Sequence, residues 1–194
     1  MNDVIGRRTL LRTAGAAGLA ALTAPAVARA QTAPRGEPAT PGDRAILKYM
    51  FDAEYIQVAL YTHALTLELD PQVAAFARAA LARHRVHVRT LRAVNIDADV
   101  VVNRSTVFEF GEQDQQGFLL NAKRIENAAA AGAGTAVTLI EDQQRLEPLL
   151  VILTDELAHA GSVARLLGEP AAEAGPFDDP QPLAAMRLIL TSAN

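Results

Sequence analysis

The sequence predicts an all-α fold: a four-helix bundle of two antiparallel hairpins joined by a long crossover, with a short C-terminal helix after it. Three observations carry this. Alanine and leucine dominate, aromatics make up only 5% of the chain, and strand-like alternation is almost absent. Four segments repeat apolar residues at the period of a helix face. Two stretches also place the same polar residue types at the same spacing. Glu54 is followed 30 residues later by His84 and then His87, and Glu126 is followed 30 residues later by Glu156 and then His159.

The chain is expected to begin with a segment that is not part of the fold. Arg7-Arg8-Thr9-Leu10-Leu11-Arg12 is a twin-arginine pattern, an alanine-rich apolar run follows from Ala14 to Val27, and Ala28-Arg29-Ala30 is a small-x-small cleavage site. The apolar run is too short and too rich in alanine to span a bilayer well. Residues 1–30 therefore read as an export signal. It implies the twin-arginine export machinery as a partner, a periplasmic or other extracytoplasmic location, and no membrane association after cleavage. Residues 31–42 form a Pro/Gly/Thr linker.

Helix one is expected from Asp43, its N-cap candidate, to about Leu67, with Leu47, Met50, Phe51, Val58, Tyr61 and Leu65 as its apolar stripe. Glu54 lies within that stripe. Tyr61 shares its face and reads as core packing, while His63 turns to the opposite side and reads as a surface residue. Leu69-Asp70-Pro71 is a turn and helix start, with Pro71 at the first helical position of helix two. Val73, Phe76, Ala77, Ala80, Val88 and Leu91 make its stripe, His84 and His87 lie on it, and Arg78, Arg85, Arg89 and Arg92 form the other face.

Residues 95–111 break the period and serve as the crossover. Helix three is expected from about Glu112 to about Ala131, with Glu126 on a slim alanine-lined stripe. Its alanines allow close approach of a neighbour. Helix four is expected from about Pro148 to Gly168, with Glu156 and His159 on the stripe of Leu149, Ile152, Leu153, Ala160, Val163 and Leu166. Asp155, Ser162 and Arg165 are expected to face outward. The Pro-rich segment after Gly168 begins the extension 169–194, in which Leu183–Leu190 is the short last helix. The bundle is thus residues 43–168, large enough for one core.

Charge and composition exclude several functions. Without residues 1–30, which hold four Arg and one Asp, the chain has 14 Lys and Arg against 21 Asp and Glu, a net charge of −7. Such a balance argues against nucleic acid as a partner. With no cysteine there is no disulfide, thiolate metal site, iron–sulfur cluster or Cys nucleophile.

Residues equally far from a hairpin turn lie side by side. The midpoints of the two acid-and-histidine patterns fall near positions 70 and 142, so each hairpin brings its polar residues to one height, roughly 22 Å from the turn. Positions three apart share a helix face. Glu54, His84, His87, Glu126, Glu156 and His159 are thereby candidate metal ligands. Three carboxylates and three imidazoles in one core hold no cation unless the histidines protonate, and a divalent ion or two resolves that. Oxygen and nitrogen ligands without sulfur suit iron or manganese, with zinc and copper compatible.

At this point the residues resemble a known family. Glu54 and Glu126 from two helices, Glu156-x-x-His159 from a third and His84-x-x-His87 from the fourth resemble the carboxylate di-metal pattern of ferritin-like proteins, one Glu from each of two helices and Glu-x-x-His from each of the other two. ILKYMFDAEYIQVALYTHAL, STVFEFG, LTDELAHAGSVARLLG and PFDDPQP also resemble the exported bacterial ferritin-like group related to plant desiccation-associated proteins. The resemblance implies a di-iron or di-manganese centre with redox or metal-handling roles, oxidoreductase or ferroxidase-like activity among them; it does not imply a cage. A homo-oligomer is compatible with it. It assigns ligand roles to Glu54, His87, Glu126, Glu156 and His159. His84 departs from the pattern, which has a bridging Glu in that slot.

Overall fold

Four helices and no strand make up the described part of the computed structural model, residues 39–97, 110–111 and 113–169. The expected signal segment, most of the linker, most of the crossover and the short C-terminal helix lie outside the described residues. Helix α1 spans Pro41–Ala64, α2 Pro71–Asp97, α3 Gln115–Leu139 and α4 Gln143–Leu166. Several ends have an identifiable cause and differ from the sequence expectation.

Helix α1 starts two residues early because Thr40, not Asp43, is its N-cap: the Thr40 hydroxyl accepts from Asp43 N at 3.1 Å, and Pro41 follows at the first helical position. The linker is shortened accordingly, and Ala39 is already buried. Freed from capping its own helix, the Asp43 carboxylate crosses the bundle. It accepts from Glu141 N at 2.9 Å and Asp142 N at 3.1 Å in the α3–α4 turn. At the opposite end Gln115 exchanges two hydrogen bonds with Asp70, at 2.7 and 2.8 Å, fastening the α1–α2 turn to the start of α3.

These two ties fix the directions. The start of α1 lies beside the end of α3, so α1 and α3 are antiparallel. Helix α1 packs on α2 and α3, and α4 packs on α3 and α2, giving a square arrangement. The end of α2 and the start of α3 therefore lie at opposite ends of the bundle. Among the described residues no helix is long and apolar enough to cross a membrane.

Helix α3 runs eight residues past the expected end at Ala131. Gly132 lies in the helix interior, where the ring of Tyr49 fills the space a Cβ would need: that atom would stand 2.6 Å from Tyr49 Cε1 and Cζ. Alanine normally stabilises a helix interior by about 0.5–1 kcal/mol over glycine. Here overpacking reverses the sign, and Gly132→Ala is expected to cost about 1–3 kcal/mol. Denaturant unfolding reads this as a lower midpoint; an unchanged or higher midpoint would show that the Tyr49 ring moves aside freely.

Helix α4 begins at Gln143 with Asp142 as N-cap, five residues before the expected Pro148. Proline was read as a first-turn residue. At Pro148 its missing N–H forfeits one bond, to the carbonyl four residues back, close enough to the helix start to be tolerated. The expected stop at Gly168 is present. Gly168 has φ +73°, and Gly168 N→Arg165 O and Glu169 N→Ala164 O, both 3.0 Å, complete a Schellman cap.

Candidate metal centre

The hairpin geometry brings all six singled-out side chains together. Glu54 comes from α1, His84 and His87 from α2, Glu126 from α3, and Glu156 and His159 from α4. Glu54 is buried with its two oxygens divided between the histidines: Oε2 lies 2.9 Å from His84 Nδ1 and Oε1 lies 3.1 Å from His87 Nδ1. His84, fully buried, turns its other nitrogen to α3, with Nε2 3.3 Å from Glu126 Oε1. Glu126 Oε2 lies 3.6 Å from His159 Nδ1. Glu156 Oε1 stands 3.5 Å from His84 Nδ1 and 3.9 Å from His87 Nδ1.

Two groups of donor atoms result, each within 4.8 Å of one another: Glu54, His84, His87 and Glu156 in one, and His84, Glu126, Glu156 and His159 in the other. Four buried atoms in this cluster have no hydrogen-bond partner: both oxygens of Glu156, Glu126 Oε2 and His159 Nδ1. A buried polar group left without a partner costs about 1–3 kcal/mol, more when charged. Oxygens and an imidazole nitrogen left free and facing one another are the donor set a hard or borderline divalent cation takes. The residues present therefore fit such an ion.

Protons supply part of the missing positive charge. Burial alone would push the Glu54 carboxyl up, but His87 and His84 overcome it and hold its pKa at about 2. For Glu126, too, burial is outweighed, by His159 and His84, and its pKa lies well below the usual carboxylate range. Burial would lower His84; Glu126 and Glu54 carry it up to about 10. His87 is also raised against burial, by Glu54 and Asp155. Glu156 has no such compensation. Burial, then the charges of Glu54 and Glu126, push it well above the usual range, so it keeps its proton.

Two contributors escaped the sequence reading. Asp155, expected to face outward, is nearly buried, accepts from His87 Nε2 at 2.9 Å and pairs with Arg83 Nε at 3.3 Å. A helix in a square bundle has two neighbours, so its buried arc is wider than one apolar stripe. Asp155, turned about 100° from Glu156, reaches α2. The only signal was its adjacency to Glu156. Tyr61, read as packing, does pack, stacking on His84 at 5.4 Å, but its hydroxyl also donates to Glu126 Oε1 at 2.5 Å. His63 stays out of the cluster; it is half-buried rather than a plain surface residue, its ring stacked on Phe110.

Asp155 holds the Nε2 side of His87 and so directs Nδ1 into the cluster, the way an outer carboxylate fixes a ligating imidazole. Because Asp155 also helps raise His87, Asp155→Asn is expected to lower the His87 pKa. Imidazole NMR titration measures this; an unmoved His87 would show that the contact is idle.

A family model described as a ferritin-like domain matches residues 42–169. Among solved structures, a conserved hypothetical protein, rv2844, from Mycobacterium tuberculosis superposes with a TM-score of 0.60 at 20% sequence identity, covering 69% of this chain and 96% of that one. At that identity the likeness concerns the fold. No curated protein matches the chain.

Proposed function

Because the chain belongs to the ferritin-like domain family, and its bundle encloses a His/Glu cluster compatible with metal binding, we propose that it is an exported protein holding iron or manganese, one or two ions, for redox or oxidative-stress chemistry. The observation that carries this is the set of four buried atoms on Glu126, Glu156 and His159 without a hydrogen-bond partner among the described residues. Glu54, His84, His87, Glu126, Glu156 and His159 would hold the metal. Bound iron or manganese supplies one-electron redox chemistry with oxygen or peroxide.

The protein's own groups set the conditions for that chemistry. Glu54 and Glu126 are held ionised and contribute two negative charges without further adjustment. Glu156 must surrender its proton, and His84 and His87 theirs, so binding releases protons. Tyr61 pins Glu126 Oε1 and leaves Oε2 free to face the cluster. Phe76, edge-on to His159 at 6.2 Å, and Phe118, edge-on to Tyr61 at 5.8 Å, help exclude water.

Anaerobic loading with ferrous ion followed by exposure to air tests the reading. The loaded protein should oxidise iron faster than buffer does, and Glu126→Gln should abolish the difference. Absence of both bound metal and iron oxidation would end it. A second reading, a stable metal-binding bundle without turnover, is favoured by His84 in a slot where the resemblance calls for a bridging carboxylate. It predicts bound metal whose oxidation state does not change under peroxide. Export is supported by Arg7-Arg8 and by Ala28-Arg29-Ala30. N-terminal sequencing of the periplasmic protein should begin at Gln31; a protein retained with Met1 in the cytoplasm would refute it.

A further inference from the structure

The geometry points to two unequal cation loci divided by His84. The Glu126–Glu156–His159 locus takes the first divalent ion through His84 Nε2, and the Glu54–His87 locus is left to the N–H of His84. This deepens the metal reading above and rests on it. The starting fact is the orientation of one ring: His84 Nδ1 faces Glu54 at 2.9 Å and Glu156 at 3.5 Å, while Nε2 faces Glu126 at 3.3 Å. The same imidazole belongs to both donor groups.

A carboxylate in that position would offer lone pairs on both oxygens, one to each locus. A neutral imidazole offers one lone pair and one N–H. Only one locus can therefore use His84 as a ligand at a time. The hydrogen bonds decide which. At Glu54 both oxygens already have partners, in His84 Nδ1 and His87 Nδ1, and His87 Nε2 is engaged with Asp155. An ion there would have to break two bonds of 2.9 and 3.1 Å.

On the other side Glu126 Oε2 and His159 Nδ1 have no hydrogen-bond partner, while the buried Glu156, free at both oxygens, belongs to both donor groups and can serve an ion at either. An ion at that locus displaces only the longer contacts of Glu126, to His84 Nε2 at 3.3 Å and to His159 Nδ1 at 3.6 Å. The tautomer with its proton on Nδ1 then serves both needs, giving its lone pair to the ion and its N–H to Glu54. His84 is thus a specificity-determining ligand that separates loading into a tight step and a weak one.

Isothermal titration of the full-length, chelator-stripped protein with manganous ion, and anaerobically with ferrous ion, tests this. The expected result is one tight ion per chain, with a second step weaker by at least about a hundredfold, one ligand's share of a four-ligand site, or absent. Glu126→Gln should weaken the tight step, Glu54→Gln the weak one, and His84→Glu should bring the two constants within about tenfold of each other. Two ions of equal affinity in the unmodified protein would overturn the inference. So would loss of the tight step in Glu54→Gln with its retention in Glu126→Gln. Failure of every protein to bind either ion would instead remove the metal reading on which it stands.

Discussion

Glu54→Ala is expected to be the most destabilising single substitution in the bundle, costing about 3–5 kcal/mol in protein stripped of metal. The reason lies in what the change leaves behind. Glu54 accepts from His84 and His87 at once, and all three residues are almost wholly buried. Removing the carboxylate strands two imidazole N–H groups and takes away a charge that keeps both histidines protonated. Glu54→Gln keeps the shape and an acceptor oxygen and should lose less. Urea unfolding of the two variants against the parent measures this. Equal and small losses would mean that the cluster is not held together by these contacts.

The second large effect is a pH dependence that bound metal opposes. Glu54, with its pKa held at about 2 against an ordinary 4.5, adds stability above 4.5 that is lost as pH falls towards 2. His84 is the opposite case. Raised from 6.5 to about 10, it contributes stability fully present below 6.5 and lost as pH climbs to about 10. Glu156, raised above 4.5, likewise loses its contribution as pH rises past that value.

Metal-free protein should therefore be most stable at mildly acid pH and weaken steadily through neutrality. Metal competes with those same protons, so its stabilising effect should grow over the same range. At pH 8, an ion at about a hundred times its Kd adds about 2.7 kcal/mol, roughly 10 °C in Tm for a bundle of this size. Calorimetry from pH 5 to 9, with and without manganous ion, checks both slopes. Parallel curves would show that the ion and the protons do not share the site.

Much of this was legible in the sequence because helical hairpins convert spacing into position. The matched intervals from Glu54 to His84 and from Glu126 to Glu156 needed only the turns near Asp70 and Asp142 to become four residues at one height. What failed had local causes. Pro148 and Gly132 are strong punctuation in a sequence, yet each lies inside a helix, one tolerated near a helix start and the other required by Tyr49. Asp155 and the Tyr61 hydroxyl act on neighbouring helices, and a single apolar stripe does not report on the flanks of a helix with two neighbours. The reach of Asp43 to the α3–α4 turn, 98 residues away in sequence, had no local signature at all.

The sequence also left open whether protons or metal relieve the buried acids. The geometry sharpens that choice. Protons on His84, His87 and Glu156 account for Glu54 and for part of Glu126, but the free atoms of Glu126, Glu156 and His159 remain.

Elemental analysis of the protein purified from its native host without chelators addresses this most directly. About one or more equivalents of iron or manganese per chain are predicted, falling to background when Glu126→Gln, Glu156→Gln and His159→Ala are combined. Parent protein as free of metal as that triple variant, with an unchanged Tm on adding either ion, would contradict the account.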